Sequence, residues 1–148
     1  MDRRLSHGCF ISGYRVIVCG GRDFSDEVLC FRSLDGILSR YGRCEIVSGH
    51  AKGADRLGEK YAEANGLECA VFPADWRRYG RGAGLIRNRE MLLYAKQAFP
   101  VVVAFWNGQS RGAKQMIDIA EQAGAAVHVV RYGNGASRSG SSMRRSSD

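Results

Sequence analysis

The chain reads as an α/β domain, a five-stranded, mainly parallel sheet with helices on both faces. Five short apolar runs, nearly continuous and rich in valine, have the composition of strands covered on both sides. Segments with apolar residues at helical spacing lie between them. The two kinds alternate strictly, and strict alternation calls for parallel strands joined by right-handed crossovers.

The first strand is RVIVC at 15–19. Val28, Phe31, Leu34, Leu38 and Tyr41 then recur at three- and four-residue intervals, after Ser25 as N-cap. CEIV at 44–47 is the second strand, and Ala54, Leu57, Tyr61 and Ala62 mark a helix ended by Asn65-Gly66. ECAVF at 68–72 is the third strand, with a helix containing Leu92 and Ala95 starting near Leu85. VVVAF at 101–105 is the fourth. Ala113, Met116, Ile117 and Ala120 form a helix closed by Gly124, and AVHVV at 126–130 completes the sheet.

At 148 residues there is room for one domain. It occupies 15–132, between an N-terminal extension at 1–14 and a Gly/Ser/Arg-rich tail at 133–148 with almost nothing apolar, expected to be disordered. No apolar run approaches the roughly 18 residues of a membrane span, and the N-terminus makes a poor secretory signal. The expected location is the cytoplasm. Cysteines at 9, 19, 30, 44 and 69 form no C-x-x-C pair, so they read as reduced and structural, and no metal site is expected. The net charge is +7, of which +4 belongs to the domain, a balance that suits an anionic ligand but also simply aids solubility.

Ligands of such sheets bind beyond the carboxyl ends of the strands, which directs attention to the loops at 20–25, 48–54, 73–84 and 106–112. Gly20-Gly21-Arg22-Asp23 pairs a sharp turn with a planar guanidinium fork, without the G-x-G-x-x-G dinucleotide pattern. Ser48-Gly49-His50-Ala51-Lys52-Gly53-Ala54-Asp55 leads small residues into a helix start, where amides and the dipole favour a phosphate. It is not a Walker A loop, Asp55 equally serves the first helical turn, and His50 is read as a loop residue rather than a base. The loop at 73–84 interleaves Trp76 and Tyr79 with Arg77, Arg78 and Arg81, suited to stacking on a base or to packing on the domain edge. Arg87 and Glu90 share one helix face, as an internal ion pair or as a ligand-facing pair. Trp106-Asn107-Gly108-Gln109-Ser110-Arg111-Gly112 forms a second polar, glycine-bearing helix start.

Four segments, RVIVCGGRDFSD, IVSGHAKGADRLGEKYA, FPADWRRYGRGAGLIRNREML and VVVAFWNGQSRGAKQMI, resemble in order the YspA-like branch of the SLOG superfamily. That superfamily groups DprA/SMF proteins with the LOG phosphoribohydrolases, and the resemblance spans about 15–131. It implies a Rossmann-like three-layer sandwich that binds nucleotides or their derivatives, as a sensor or a processing module. SGHAKGAD is similar to the S-G-x-A-x-G-x-D motif of DprA, and Arg87-Asn88-Arg89 to its R-N-R segment. Arg87 also matches the catalytic arginine of the LOG R-K-x-x-M helix start. Where LOG enzymes carry P-G-G-x-G-T-x-x-E, this chain keeps Gly108 and Gly112 but no glutamate follows. N-glycosidic cleavage needs a carboxylate.

The expected ligand is a nucleotide or nucleotide-sugar derivative, with single-stranded nucleic acid as the alternative partner and no cofactor. Phosphates are expected among Ser48, Gly49, Lys52 and Gly53 and among Gly108, Ser110 and Gly112. Arg22 and Arg87 neutralise charge, Gly20, Gly21, Asp23, Asp55 and Asn88 are further expected ligand contacts, and Trp76 or Trp106 packs on the base or closes the pocket. Should the ligand be cleaved, the expected catalytic residues are Arg87 and Glu90, giving a ribosyl or phosphoribosyl hydrolase. LOG relatives are dimeric, which implies a homo-oligomer.

Overall fold

The valine-rich runs pair side by side at the centre of the molecule. The computed structural model describes residues 13–133 and 143–145. Five strands lie parallel: β1 (Tyr14–Gly20), β2 (Cys44–Ser48), β3 (Cys69–Val71), β4 (Phe99–Trp106) and β5 (Ala126–Arg131). Their order is β3-β2-β1-β4-β5, and a three-residue antiparallel strand, β6 (Met143–Arg145), adds to the outer edge of β5. The sheet is thus Rossmann-like, with this short strand arising inside the stretch expected to be structureless. The remainder of that stretch, 134–142 and 146–148, and most of the N-terminal extension lie outside the described residues.

Alternation along the strands sorts the core into two layers. Val16, Val18, Ile46, Val101, Val103 and Phe105 face one side, where Cys30, Leu34 and Ile37 of α1 (Glu27–Tyr41) and Tyr61 and Ala62 of α2 (Ala54–Ala64) cover them. Ile17, Val47, Val102, Ala104 and Val127 face the other side, beneath Met91, Leu92 and Ala95 of α4 (Ala83–Ala95) and Met116, Ile117 and Ala120 of α5 (Arg111–Gln122). The chain therefore winds outward from β1 with its helices on one face, then returns to β4 with helices on the other. The reversal falls between β1 and β4, and it opens a crevice above their carboxyl ends.

Local chemistry sets the helix boundaries. Asp26, rather than Ser25, caps α1, because its carboxylate accepts from the Leu29 amide at 3.0 Å. Asn65 closes α2 as expected. The long third loop is not irregular throughout: α3 (Trp76–Tyr79), capped by Asp75, and a turn of 3₁₀-helix (Gly80–Gly82) run into α4, which starts two residues earlier than the periodicity suggests. Gly58 allows α2 to lie close on β1, since a Cβ there would come within 2.7 Å of Val18 Cβ.

Candidate functional site

A cleft of about 520 Å³ opens at the carboxyl ends of the strands. The turn after β1 contributes Gly20 and Arg22, and the loop after β2 contributes Gly49, His50, Ala51 and Lys52. Pro73, Ala74 and Trp76 form the wall after β3, and α5 contributes Gly112, Ala113, Gln115 and Met116 behind Ser110. Asp55 and Arg56 enter from α2, and Gly84, Arg87, Asn88 and Met91 from α4. Four permanent cations, Arg22, Lys52, Arg56 and Arg87, thus share the cleft with a single carboxylate, Asp55, among the described residues.

Arg87 is anchored in this wall. Its Nη1 donates to the Gly49 carbonyl at 2.7 Å and its Nε donates to Asn88 Oδ1 at 3.0 Å. Asn88, only 6% exposed, in turn donates through Nδ2 to Gln115 Oε1 at 3.3 Å. A chain of hydrogen bonds therefore runs from the loop after β2 through α4 to α5. A Cβ at Gly49 would overlap Arg87 Nη1 and lie 2.8 Å from Asp55 Oδ2, so a side chain there has to displace the ends of those two side chains.

Asp55 lies under the same loop and accepts from the Ala51 amide at 3.2 Å. Burial pushes its carboxyl up to about 6, against the pull of the Ala51 amide and the nearby Arg87 guanidinium. Ser48, fully buried beneath the cleft, donates to Glu59 Oε2 at 2.7 Å, and also lies 3.2 Å from the Asp55 carbonyl. Its hydroxyl is spent on shaping the loop.

The two glycine-bearing helix starts differ. At α2 the N-cap is Gly53, which provides no side-chain cap, and its φ of 86° is one that other residues rarely adopt. A Cβ at Gly53 would also lie 2.7 Å from the Arg22 carbonyl oxygen, so the first and second loops are packed backbone to backbone. At α5 the Ser110 hydroxyl accepts from the Ala113 amide at 3.4 Å, and Asn107 Oδ1 accepts from the Gln109 and Ser110 amides. Each start thus has one of its first three amides engaged, Ala113 by the Ser110 hydroxyl at α5 and Ala54 by the Gly21 carbonyl at 3.2 Å at α2, and α2 is the start without a side-chain cap.

Sequence comparison decides the family. The family model of the YspA, cpYpsA-related SLOG family matches residues 14–79, the first three strands and the loops that build one side of the cleft. The Gene 61 protein of Mycobacterium phage D29 is 31% identical over 127 residues, covering 81% of this chain and 97% of the phage protein. The chain belongs to the YspA, cpYpsA-related SLOG family. No solved structure matches it.

Of the residues singled out from the sequence of this SLOG protein, Gly20, Arg22, Gly49, Lys52, Asp55, Trp76, Arg87, Asn88, Ser110 and Gly112 meet on the cleft. Others stand apart. Asp23 accepts from the Tyr132 hydroxyl at 2.5 Å, and Gly21 packs against that same ring. Trp106 Nε1 donates to the Ser110 carbonyl at 3.1 Å, while its ring packs on the α4/α5 core beside the Arg131 guanidinium. Gly108 faces Arg131 at the back of that turn. Glu90 is exposed on α4, outside the cleft wall. Arg87 and Glu90, neighbours in sequence spacing, therefore do not act at one place.

Arg56, Gln115 and the two methionines Met91 and Met116 were not legible as site residues, because each lies inside a helix whose periodicity also accounts for it. Among the described cysteines, Cys19 lines the cleft floor, and burial pushes its thiol well up. Burial raises Cys30, Cys44 and Cys69 to about 12, so these thiols are packing groups rather than nucleophiles. No helix is long and apolar enough to cross a membrane among the described residues.

Proposed function

We propose that this SLOG domain binds a nucleotide or nucleotide-sugar derivative in the cleft, with its phosphates toward Lys52, Arg22 and the start of α2. The observation that carries this reading is the gathering of four cations and one uncapped helix start around a single, largely buried carboxylate. Such a charge balance favours a ligand with more than one negative charge, and backbone amides supply fixed donors for its oxygens. Trp76, 54% exposed at the cleft edge beside Gly84, offers a face on which a base can stack.

Native mass spectrometry of the purified chain tests the reading, since it reports co-purified nucleotide and subunit count together. Retention of an added or co-purified nucleotide supports it. A chain that holds no nucleotide, nucleotide-sugar or phosphate over a millimolar titration contradicts it.

A second reading, binding of single-stranded nucleic acid, draws on the exposed Trp76, Arg77, Arg78, Tyr79 and Arg81. Arginines interleaved with aromatics at the surface suit backbone neutralisation with base stacking. Salt separates the two. Affinity built on several phosphate contacts falls by orders of magnitude between about 50 and 200 mM salt, whereas a single-nucleotide pocket responds far less. Hydrolysis is supported less, because among the described residues Asp55 is the lone carboxylate on the cleft and is already engaged by the Ala51 amide.

A further inference from the structure

Among the described residues, His50 is the one non-glycine residue with a left-handed backbone, at φ 64°, and it stands on the cleft wall. Histidine enters that conformation more readily than most side chains, and it persists there when its surroundings hold it. The surroundings here are explicit. The His50 amide donates to Ser48 Oγ at 3.0 Å, and its carbonyl accepts from Arg56 Nε at 3.1 Å. Nδ1 of the imidazole lies 2.9 Å and 3.1 Å from the two Glu59 oxygens, and Glu59 is itself held by the Ser48 hydroxyl. An ionised carboxylate only accepts, so Nδ1 carries a proton, and Nε2 is the ring nitrogen left to meet a ligand. The ring remains 43% exposed and open to a ligand.

We infer that His50, positioned by Glu59, is a proton-accepting ligand contact that selects a terminal phosphomonoester. On binding, Nε2 takes a proton from solvent and donates it as an N–H···O bond to the phosphate, while Nδ1–H stays on Glu59. A phosphomonoester carries up to two charges near neutrality, whereas a diester carries one and offers no second ionisation. The inference rests on the cleft being a nucleotide site and adds to it the class of phosphate that is read. The charged groups that share this corner are Glu59, Asp55 and Arg56 from α2, Lys52 from the preceding loop, Arg22 from the turn after β1, and Arg87 from α4. Asp55 is the rival proton acceptor.

Isothermal titration of the full chain with adenosine 5′-monophosphate, in buffers of different ionisation enthalpy near pH 7, counts the protons taken up. The expected result is uptake of a substantial fraction of a proton by the native chain. His50→Asn, chosen because asparagine tolerates a left-handed backbone, is expected to lose the uptake and bind about tenfold more weakly. His50→Gly serves the same purpose should that variant fail to fold. Glu59→Gln is expected to reduce uptake, and the 3′,5′-cyclic monophosphate to bind more weakly with none. Uptake that survives in the His50 variants and disappears in Asp55→Asn overturns the inference in favour of Asp55. Tight binding of the monophosphate without uptake overturns it while leaving the nucleotide site standing. Absence of any binding by the native chain overturns both.

Discussion

Arg87 and Gly49, 38 residues apart, are joined across the cleft by a 2.7 Å hydrogen bond from the guanidinium to the carbonyl. This contact fixes the loop after β2 against α4, and it sets where the cleft's most buried cation can sit. It also means that a side chain at position 49 has to push the Arg87 guanidinium aside.

Gly49→Ala is therefore expected to displace Arg87 and to lower nucleotide affinity at least as much as losing the arginine. Overpacking of this kind costs about 1–3 kcal/mol, readable as a lowered urea midpoint with an unchanged slope. An alanine variant with native affinity shows that the Arg87–Gly49 contact does not shape the site.

Arg87→Ala is expected to lose affinity and stability together. Besides facing the cleft, the guanidinium bonds Asn88 and compensates the buried Asp55. Loss of these partners is expected to cost about 1–3 kcal/mol. Arg87→Lys keeps the charge but not the fork, so it restores little of either. Titration calorimetry and chemical denaturation of the two variants measure both effects.

Asp55 predicts a pH dependence with a definite sign. Its carboxyl rises from an ordinary 3.8 to about 6 in the folded chain, so the native state binds the proton more tightly than the unfolded state does. The associated stability is fully present below about pH 3.8 and is lost as pH climbs through about 6, a decline of about 3 kcal/mol at most. Asp55→Asn is expected to flatten this segment of the stability–pH curve. A curve of unchanged slope in that variant assigns the dependence to another group.

Two alanine substitutions in helices are expected to act in opposite directions. Gly36, in the exposed middle of α1, has open space around an added Cβ, so Gly36→Ala gains about 0.5–1 kcal/mol. Gly58, in the middle of α2, has Val18 atoms at 2.7 and 2.8 Å from the same added atom, so Gly58→Ala loses about 1–3 kcal/mol. Thermal melts of the pair test how closely α2 lies on the sheet.

The loops that carry the cleft were legible because glycines, cations and helix starts recur at the ends of apolar runs. Arg22, Lys52 and Arg87 stand out in such loops, and the structure brings them to one cleft. Trp106 and Gly108 stand out for the same reason, yet Ser110, Asn107 and Arg131 engage or crowd that turn from within. The sequence holds no sign of the Arg131 contact, since Arg131 reaches Trp106 through strand register. His50 presents the opposite case: an ordinary loop residue by sequence, it acquires a left-handed backbone and a carboxylate partner from α2.

The alternation of the five parallel strands with helices and the rim at which the cleft opens follow from the sequence alone, because periodicity acts over a few residues, whereas the cap of α1, the start of α4 and the short elements α3 and β6 do not. Which polar side chains share the cleft was decided only in three dimensions. Asp23 turns to Tyr132, Glu90 points away from the cleft wall, and Asn88 reaches Gln115. Each of these outcomes depends on the meeting of segments distant in the chain, and on which hydrogen-bond partner burial leaves within reach.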